Sequence, residues 1–476
     1  MVTSREEVLE RIKYYKELGV NPLALATGCA VKVDLVRVVY PALSKLRDKL
    51  AGSNIVIAPR EDADVFPDEE GAPSIERMIF RLGDEAGRLG TVRTGLSGSR
   101  AIVLVQVHQR YAGDPEYFLS RIGRVYEALA ASGALLYVGK GHSIVTPFEG
   151  DDFMLIDFIK PSGRAEGYRV ANNDTIHIID PTEDPGDYRQ VSGALSNSLN
   201  DLFVLGASSN ITIAPVVNAP SDDLKERIAA NVERYARTIG AHLYQLPQPE
   251  KGRLLLGATV TAFTRKHPPV FYEQAEKGAR IVVTRPIGEL APINVYLAAI
   301  MDEAFIEDLE REGLSFEQVA KAKDEAFNTI ARPNKEAAQV IEKHLPYYGE
   351  KFERGEHIIA TTDVTGPGIY VVRELAEQMK AGIRLHDLPL LFPELSKYAS
   401  SRFLMPNATS GTNGAFVLVV PEQLERDIVR ELRSRGYRPS VIGEVVSLGE
   451  PYVEAPPLLK DYVRDRRILE AFKIRE

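Results

Sequence analysis

Thr362-Asp363-Val364-Thr365-Gly366-Pro367-Gly368 reads as the end of a short strand running into a tight turn. β-branched residues favour the extended chain, and two glycines around a proline close it sharply. Asp363 stands at the strand's end. The turn at Thr365 and Gly366 is tight enough to bring backbone N–H groups near a phosphate. A helix is expected directly after it, over 368–380.

Working outward, three more segments set an aspartate at an element end or on a polar helix face. Asp62 lies in the turn after a strand at 54–58. Asp180 is expected to end an apolar strand, Thr175-Ile176-His177-Ile178-Ile179. Asp201 follows Asn197 by four residues, which puts both on one face of a helix expected over 187–205. Magnesium prefers oxygen ligands and reaches nucleotide phosphates through one or two carboxylates and waters. A chain without the G-x-x-x-x-G-K-[ST] loop, which is absent here, must gather such carboxylates from separate segments. Each aspartate alone reads equally as a turn former, a helix cap or a solvated face.

The periodicity gives a mixed α/β chain. Ser4 and Glu7 have capping-box spacing before an amphipathic helix over 5–18, with Val8, Ile12 and Tyr15 on one face. That start reads as a helix and not as a leader. Strands and helices alternate from 175 to 263. Lys266-His267-Pro268-Pro269 is a linker candidate, and a further α/β set ends in the unit Ala415–Val420, Pro421, Gly436 and Ser440–Val446. The stretch 72–170 has its own alternation and reads as an inserted small α/β module. The expected division is therefore 1–71 with 171–264, the insert, and 265–476.

At 476 residues the chain is long enough for two to three domains. A net charge of −9 with mixed signs leaves no basic stripe for nucleic acid, and no apolar run reaches the roughly 18 residues of a membrane span. The single cysteine, Cys29, excludes an internal disulfide and fits a reducing cytoplasm. It sits in Gly28-Cys29-Ala30-Val31-Lys32, where Lys32 could lower the thiol pKa, although a free cysteine is usually a small buried hydrophobe.

Taken in order, these segments resemble the selenophosphate synthetase family, within the PurM-like group that shares the aminoimidazole ribonucleotide synthetase fold. Gly28–Lys32 looks like its Gly-Cys-x-x-Lys loop, and Glu61-Asp62-Ala63-Asp64-Val65 like its Asp-Asp-Ala-Ala-Val turn. Asn197-Ser198-Leu199-Asn200-Asp201, continuing to Gly206, is similar to its Asn-x-x-Ser-Asp-x-x-Ala-Met-Gly helix. Gly240-Ala241-His242, Thr284-Arg285-Pro286-Ile287-Gly288, Thr362–Gly368, Thr409-Ser410-Gly411 and Ile442-Gly443-Glu444-Val445 match further motifs. The resemblance covers 20–65 and 175–446.

The resemblance implies an enzyme that splits ATP to AMP and phosphate while passing one phosphoryl group to selenide or a similar small chalcogen nucleophile. Asp62, Asp180, Asp201 and Asp363 would hold Mg²⁺ ions, Asn197 with Thr365 and Gly366 would support the phosphates, and Cys29 and Lys32 would be the catalytic pair. It also implies a two-domain PurM-like fold, its N-terminal strands pairing across a homodimer into a barrel and its C-terminal domain an α/β sandwich. The chain departs from the pattern at Val31, where many members have a second cysteine. It departs again at His177-Ile178-Ile179, in place of hydroxyl residues, and at Gly411-Thr412-Asn413-Gly414, in place of a plain Gly-Gly. A thiamine monophosphate kinase-like or aminoimidazole ribonucleotide synthetase-like enzyme, and a non-catalytic nucleotide-binding relative, are the alternatives.

Overall fold

The computed structural model describes residues 4–18, 55–57, 136–138, 144–147, 167–176, 178–244, 254–301, 303–402, 404–405, 407–411, 413–464 and 466–475. The first helix, α1 (Arg5–Glu17), starts behind the expected capping box. Glu7 N donates to Ser4 Oγ at 3.2 Å, and Ser4 N to Glu7 Oε2 at 2.9 Å. Its buried face is Val8, Ile12 and Tyr15, as the periodicity requires.

Strands β1 (Ile55–Ile57), β2 (Leu136–Val138), β3 (Ile144–Pro147) and β4 (Tyr168–Ile176) precede helix α2 (Tyr188–Phe203). Strand β5 (Ser209–Pro215), helix α3 (Asp222–Ile239) and strands β6 (His242–Leu243) and β7 (Leu256–Thr264) follow. The strands form a seven-stranded sheet in the order β1-β2-β3-β4-β7-β5-β6. Strands β2 and β3 fall within 72–170, yet β2 pairs with β1 and β3 with β4. That stretch therefore contributes strands to the first sheet.

One strand differs from its expected position. The apolar run 175–180 looks extended, but β4 begins at Tyr168 and stops at Ile176, in antiparallel register with β7 from Tyr168↔Thr264 to Ile176↔Leu256. Beyond Ile176 the Gln190 amide oxygen takes the backbone N–H groups of Ile179 and Asp180, at 2.9 and 3.2 Å, so the ladder cannot continue. Asp180 thus ends a buried loop and not a strand. Ile178 and Ile179 are apolar because that loop packs into two different cores.

The second half holds β8 (Arg280–Val283), α4 (Leu290–Met301), α5 (Ala304–Arg311), α6 (Phe316–Ala331), α7 (Lys335–Lys343), β9 (Ala360–Val364) and α8 (Val371–Met379). It continues with β10 (Ala381–Leu385), α9 (Pro393–Ser401), β11 (Ala415–Val420), α10 (Glu425–Ser434), β12 (Ser440–Leu448), β13 (Tyr452–Ala455) and β14 (Lys473–Ile474). These strands form a second seven-stranded sheet, β14-β13-β10-β12-β8-β11-β9. The helical stretch from 290 to 311 is broken into two helices. Arg5 Nε caps the last turn of α4 at Ile300 O, 2.9 Å, and the chain restarts as the amphipathic α5.

The two halves share a core. Val282, Phe416, Leu418 and Val420, on one face of the second sheet, pack in one cluster with Leu199 and Phe203 of α2 and Ala337, Val340 and Ile341 of α7. The opposite face, with Val283, Val417 and Val419, packs on Val372 and Leu375 of α8. Burying each of the larger side chains among them contributes about 1.5–3 kcal/mol.

Lys266-His267-Pro268-Pro269, expected as a linker, is a packed joint. Lys266 Nζ donates to Leu345 O at 2.8 Å and lies over the Tyr347 ring. His267 stacks on Tyr348, accepts the Gly349 N–H at Nε2 (3.1 Å), and has Nδ1 2.6 Å from the Tyr168 hydroxyl. With Nε2 accepting, the ring proton belongs on Nδ1, and a second proton would set two donors face to face. Burial lowers the pKa of His267 from its ordinary 6.5, although Glu350 opposes the shift. Burial likewise lowers His344 and His357 against nearby glutamates.

A depressed folded-state pKa means that the unfolded chain takes the proton first. The stability these rings contribute is complete above pH 6.5 and is lost as pH falls through their folded pKa values. Thermal melting from pH 8 to 5 should show a declining midpoint below about pH 6.5, and His267→Gln should flatten part of that decline. A flat profile over this range would contradict the assignment.

Candidate functional site

Helix α2 and strand β4 build a polar ladder where a core would otherwise be apolar. Asn172 and Asp174 are two apart on β4 and share its face toward α2; Asn197 and Asp201 are four apart and share a face of α2. Asn172 Nδ2 donates to Asp201 Oδ2 at 2.6 Å and to Ser198 O at 2.9 Å. Asn197 Nδ2 donates to Asp174 Oδ2, and Ser198 Oγ to the Asp174 carbonyl at 3.0 Å. Each carboxylate is thus oriented by an amide from the opposite element. Asn172 is buried, whereas Asp174, Asn197 and Asp201 are half-buried, so the ladder has an open edge.

The Thr362–Gly368 turn approaches from the second sheet. Thr361 Oγ1 donates to Val204 O, the C-cap of α2, at 2.5 Å. Asp363 lies two residues further along β9, on the same face as Thr361 and opposite Phe416 of the shared core. The strand runs back along α2. Val364 is opposite Ala415, and the preceding Gly414 lies against Asn200. Asp363 therefore stands at the level of Asn200 and Asp201, on the half-buried margin.

Three motifs distant in sequence meet behind this turn. Gly368 has φ +61, and a Cβ there would lie 2.6 Å from the Thr409 carbonyl carbon and 2.7 Å from its oxygen. Thr409 Oγ1 accepts the Ile369 N–H at 3.0 Å, and Asn407 Nδ2 donates to Pro367 O at 3.0 Å. The buried Arg285 is ion-paired with Glu289 and donates to Asn413 O. Asn413, where the chain departs from a plain Gly-Gly, is held by partners on α2. Asn200 Nδ2 donates to Asn413 Oδ1 at 2.7 Å, Asn334 Nδ2 to Asn200 Oδ1 at 3.0 Å, and Asn413 Nδ2 to Gly193 O at 3.0 Å. This amide chain fastens α2 beside Asp201 to the loop that leads into β11.

Asp180 belongs to a different place. Its carboxylate is fully buried, accepts the Thr182 N–H at 2.8 Å, and lies 3.2 Å from Lys323 Nζ of α6. Lys323 also pairs with Glu183 at 2.5 Å and Asp324 at 3.1 Å. Burial alone would lower the Lys323 pKa, but Asp180, Glu183 and Asp324 outweigh it and hold the ammonium well above the ordinary lysine range. Tyr15 of α1 closes the cluster; burial first, then Asp180, pushes its hydroxyl pKa up. Asp180 adjoins Gln190 in the first turn of α2, and Asp201 lies eleven residues on, about 16 Å along the axis.

Among the described residues, no three His, Cys, Asp or Glu side chains gather closely enough to hold a metal ion. The donors at the ladder edge, Asp174, Asp201 and Asp363, are all carboxylate oxygens. That donor chemistry suits a hard divalent cation whose other ligands are water and phosphate. Thr365 and the buried Gly366 form the turn above Asp363, with Gly368 N donating to Thr365 O at 3.0 Å. Cys29, Lys32 and Asp62 lie outside the described residues. His242 is exposed on β6. Sequence reasoning passed over Asp174 and Asn172. Their signal is Asn172-Asn173-Asp174, a polar triplet in a strand that pairs along its length with the apolar β7.

No family model matches the chain. It is 24% identical over 205 residues to a probable selenide, water dikinase of Caenorhabditis elegans, across 41% of this chain. The match spans 50% of that relative's length. Similar solved structures include tt0281 from Thermus thermophilus, at TM-score 0.43 and 16% identity over 61% of this chain and 85% of that one. The E. coli hydrogenase maturation protein HypE is similar at TM-score 0.41 and 16% identity, over 61% and 83%. Thiamine monophosphate kinase from Aquifex aeolicus is similar at 0.40 and 16%, over 63% and 91%. Among the described residues, no helix is long and apolar enough to cross a membrane.

Proposed function

We propose that this chain is a PurM-like, ATP- and Mg²⁺-dependent phosphotransferase that passes one phosphoryl group of ATP to selenide or a related chalcogen nucleophile and another to water, leaving AMP and phosphate. The observation that carries the proposal is the carboxylate–amide ladder on α2 and β4, with Asp363 facing its open edge from the second sheet. The partial likeness to a probable selenide, water dikinase supports the choice of acceptor.

In this reading Asp174, Asp201 and Asp363, with Asp62, supply the oxygens for Mg²⁺. Asp180 serves the fold through Lys323. A bound Mg²⁺ would neutralise charge on the triphosphate. Asn197 and Asn172 hold two of the carboxylates in orientation, and the Thr365–Gly366 turn presents backbone N–H groups to phosphate oxygens. Cys29 handles the chalcogen as a thiolate, and Lys32 offsets charge on the transferring group. The enzyme works as a cytoplasmic homodimer joined by a twofold interface. The residues 72–170 that lie outside these strands form an added module, and 265–476 form the C-terminal domain.

The test is ³¹P NMR of the purified protein with Mg²⁺, ATP and either selenide or sulfide. AMP, phosphate and a new chalcogen-dependent phosphorus signal are expected, and Cys29→Ser should lose that signal. ADP as the sole nucleotide product would replace the proposal with a small-molecule kinase. No turnover with intact nucleotide binding would leave a non-catalytic relative.

A further inference from the structure

A pocket lies away from the ladder, against the C-terminal half of α6. Its volume is about 370 Å³, within the range of small-molecule sites. Glu325 and Thr329 line it from one face of α6, at i and i+4, and Arg332 from the helix's C-cap. Arg285 enters from the loop after β8, and Tyr437 and Arg438 from the turn after α10. Three guanidinium groups line the pocket, Arg285 paired with Glu289, Arg332 with Glu336 and Arg438 with Glu325.

The three arginines differ in a useful way. Arg285 is 5% exposed, and its buried Nε–H has no partner among the described residues although its other nitrogens are engaged. An orphaned buried donor is costly unless something accepts from it. Arg332 is fixed: it donates to Gly436 O and Arg435 O, both at 2.8 Å, and lies 4.2 Å over the Tyr437 ring. Arg438 is loose, with a 60% exposed side chain whose nearest carboxylate, Glu325, is 3.6 Å away. The Leu391 side chain and the Tyr437 ring supply an apolar wall.

We infer that this cavity binds a small organic oxyanion, a phosphate ester or carboxylate with a compact apolar body. Planar guanidinium forks match such groups in two parallel hydrogen bonds. Arg438 exchanges Glu325 for the ligand and offers it that fork, while Arg332, held by the Gly436 and Arg435 carbonyls, adds fixed positive charge. The site is separate from the ladder and does not depend on the phosphotransferase reading.

Calorimetric titration of the full chain with phenyl phosphate, benzoate and inorganic phosphate tests the inference. Saturable binding of phenyl phosphate or benzoate is expected, stronger than that of inorganic phosphate, and the stronger of the two identifies the head group. Arg438→Glu should weaken it at least tenfold, with circular dichroism and Mg²⁺-ATP affinity unchanged. Leu391→Ser should weaken phenyl phosphate more than inorganic phosphate. Binding that survives Arg438→Glu, that Mg²⁺-ATP displaces competitively, or that is absent for all three probes would overturn it.

Discussion

Lys323→Met is expected to lower the unfolding free energy by about 3–5 kcal/mol, the usual cost of removing one partner from a buried ion pair. Its side chain is 6% exposed and faces a carboxylate, Asp180, with no exposure. Methionine fills similar volume, so the loss is electrostatic: Asp180 would be left buried with only its Thr182 contacts. Asp324, whose side chain is 57% exposed, adds little, because solvent screens it. The cluster ties α1, the loop before α2 and α6 together, since Tyr15 donates to Glu183 O and Arg11 to Thr182 O beside it. Urea unfolding measures the effect. The double variant Lys323→Met with Asp180→Asn should recover part of the loss, because removing both charges leaves none uncompensated. A single-variant loss under about 1 kcal/mol would show that the pair is solvated and not buried.

The same cluster explains what the sequence could and could not convey. Helix ends were legible wherever local chemistry sets them. Ser221 accepts the Leu224 N–H to start α3, and Gly240 ends it at φ +65. Strand Ala415–Val420 is apolar on both faces because both sides of the second sheet are covered, and it lies where expected. The error at Asp180 has the opposite origin. An apolar run bordered by polar residues looks like a strand. Here the polar residues are the strand, their cost met by partners on α2, and the apolar run is a loop buried by tertiary packing. No local signal carries the Asn172–Asp201 or Asp180–Lys323 pairing, because each spans tens of residues or more. The motif resemblance pointed to Asn197, Asp201 and Asp363, but only the fold reveals that Asn413, where the chain departs from the pattern, accepts from the Asn200 amide.

Asp174→Asn and Asp201→Asn are each expected to reduce kcat/KM for Mg²⁺-ATP by about 10²–10³, the usual effect of removing one fixed electrostatic group from a reacting phosphate site. The substitutions keep shape but remove charge. Asn197 and Asn172 would then face an amide that can flip to accept their hydrogen bonds, so the fold should survive. Asn197→Ala should cost less, about 10-fold, because it frees the Asp174 carboxylate without removing it. Asp180→Asn should behave in the reverse way, with stability falling through the loss of its Lys323 pairing while kcat/KM of the folded fraction stays near wild type. Calorimetry with Mg²⁺-ATP, alongside steady-state kinetics and thermal melting, separates the cases. If Asp180→Asn lost more activity per folded molecule than Asp174→Asn, the ladder would not be the reacting centre. The buried cluster at the other end of α2 would then have to hold the nucleotide.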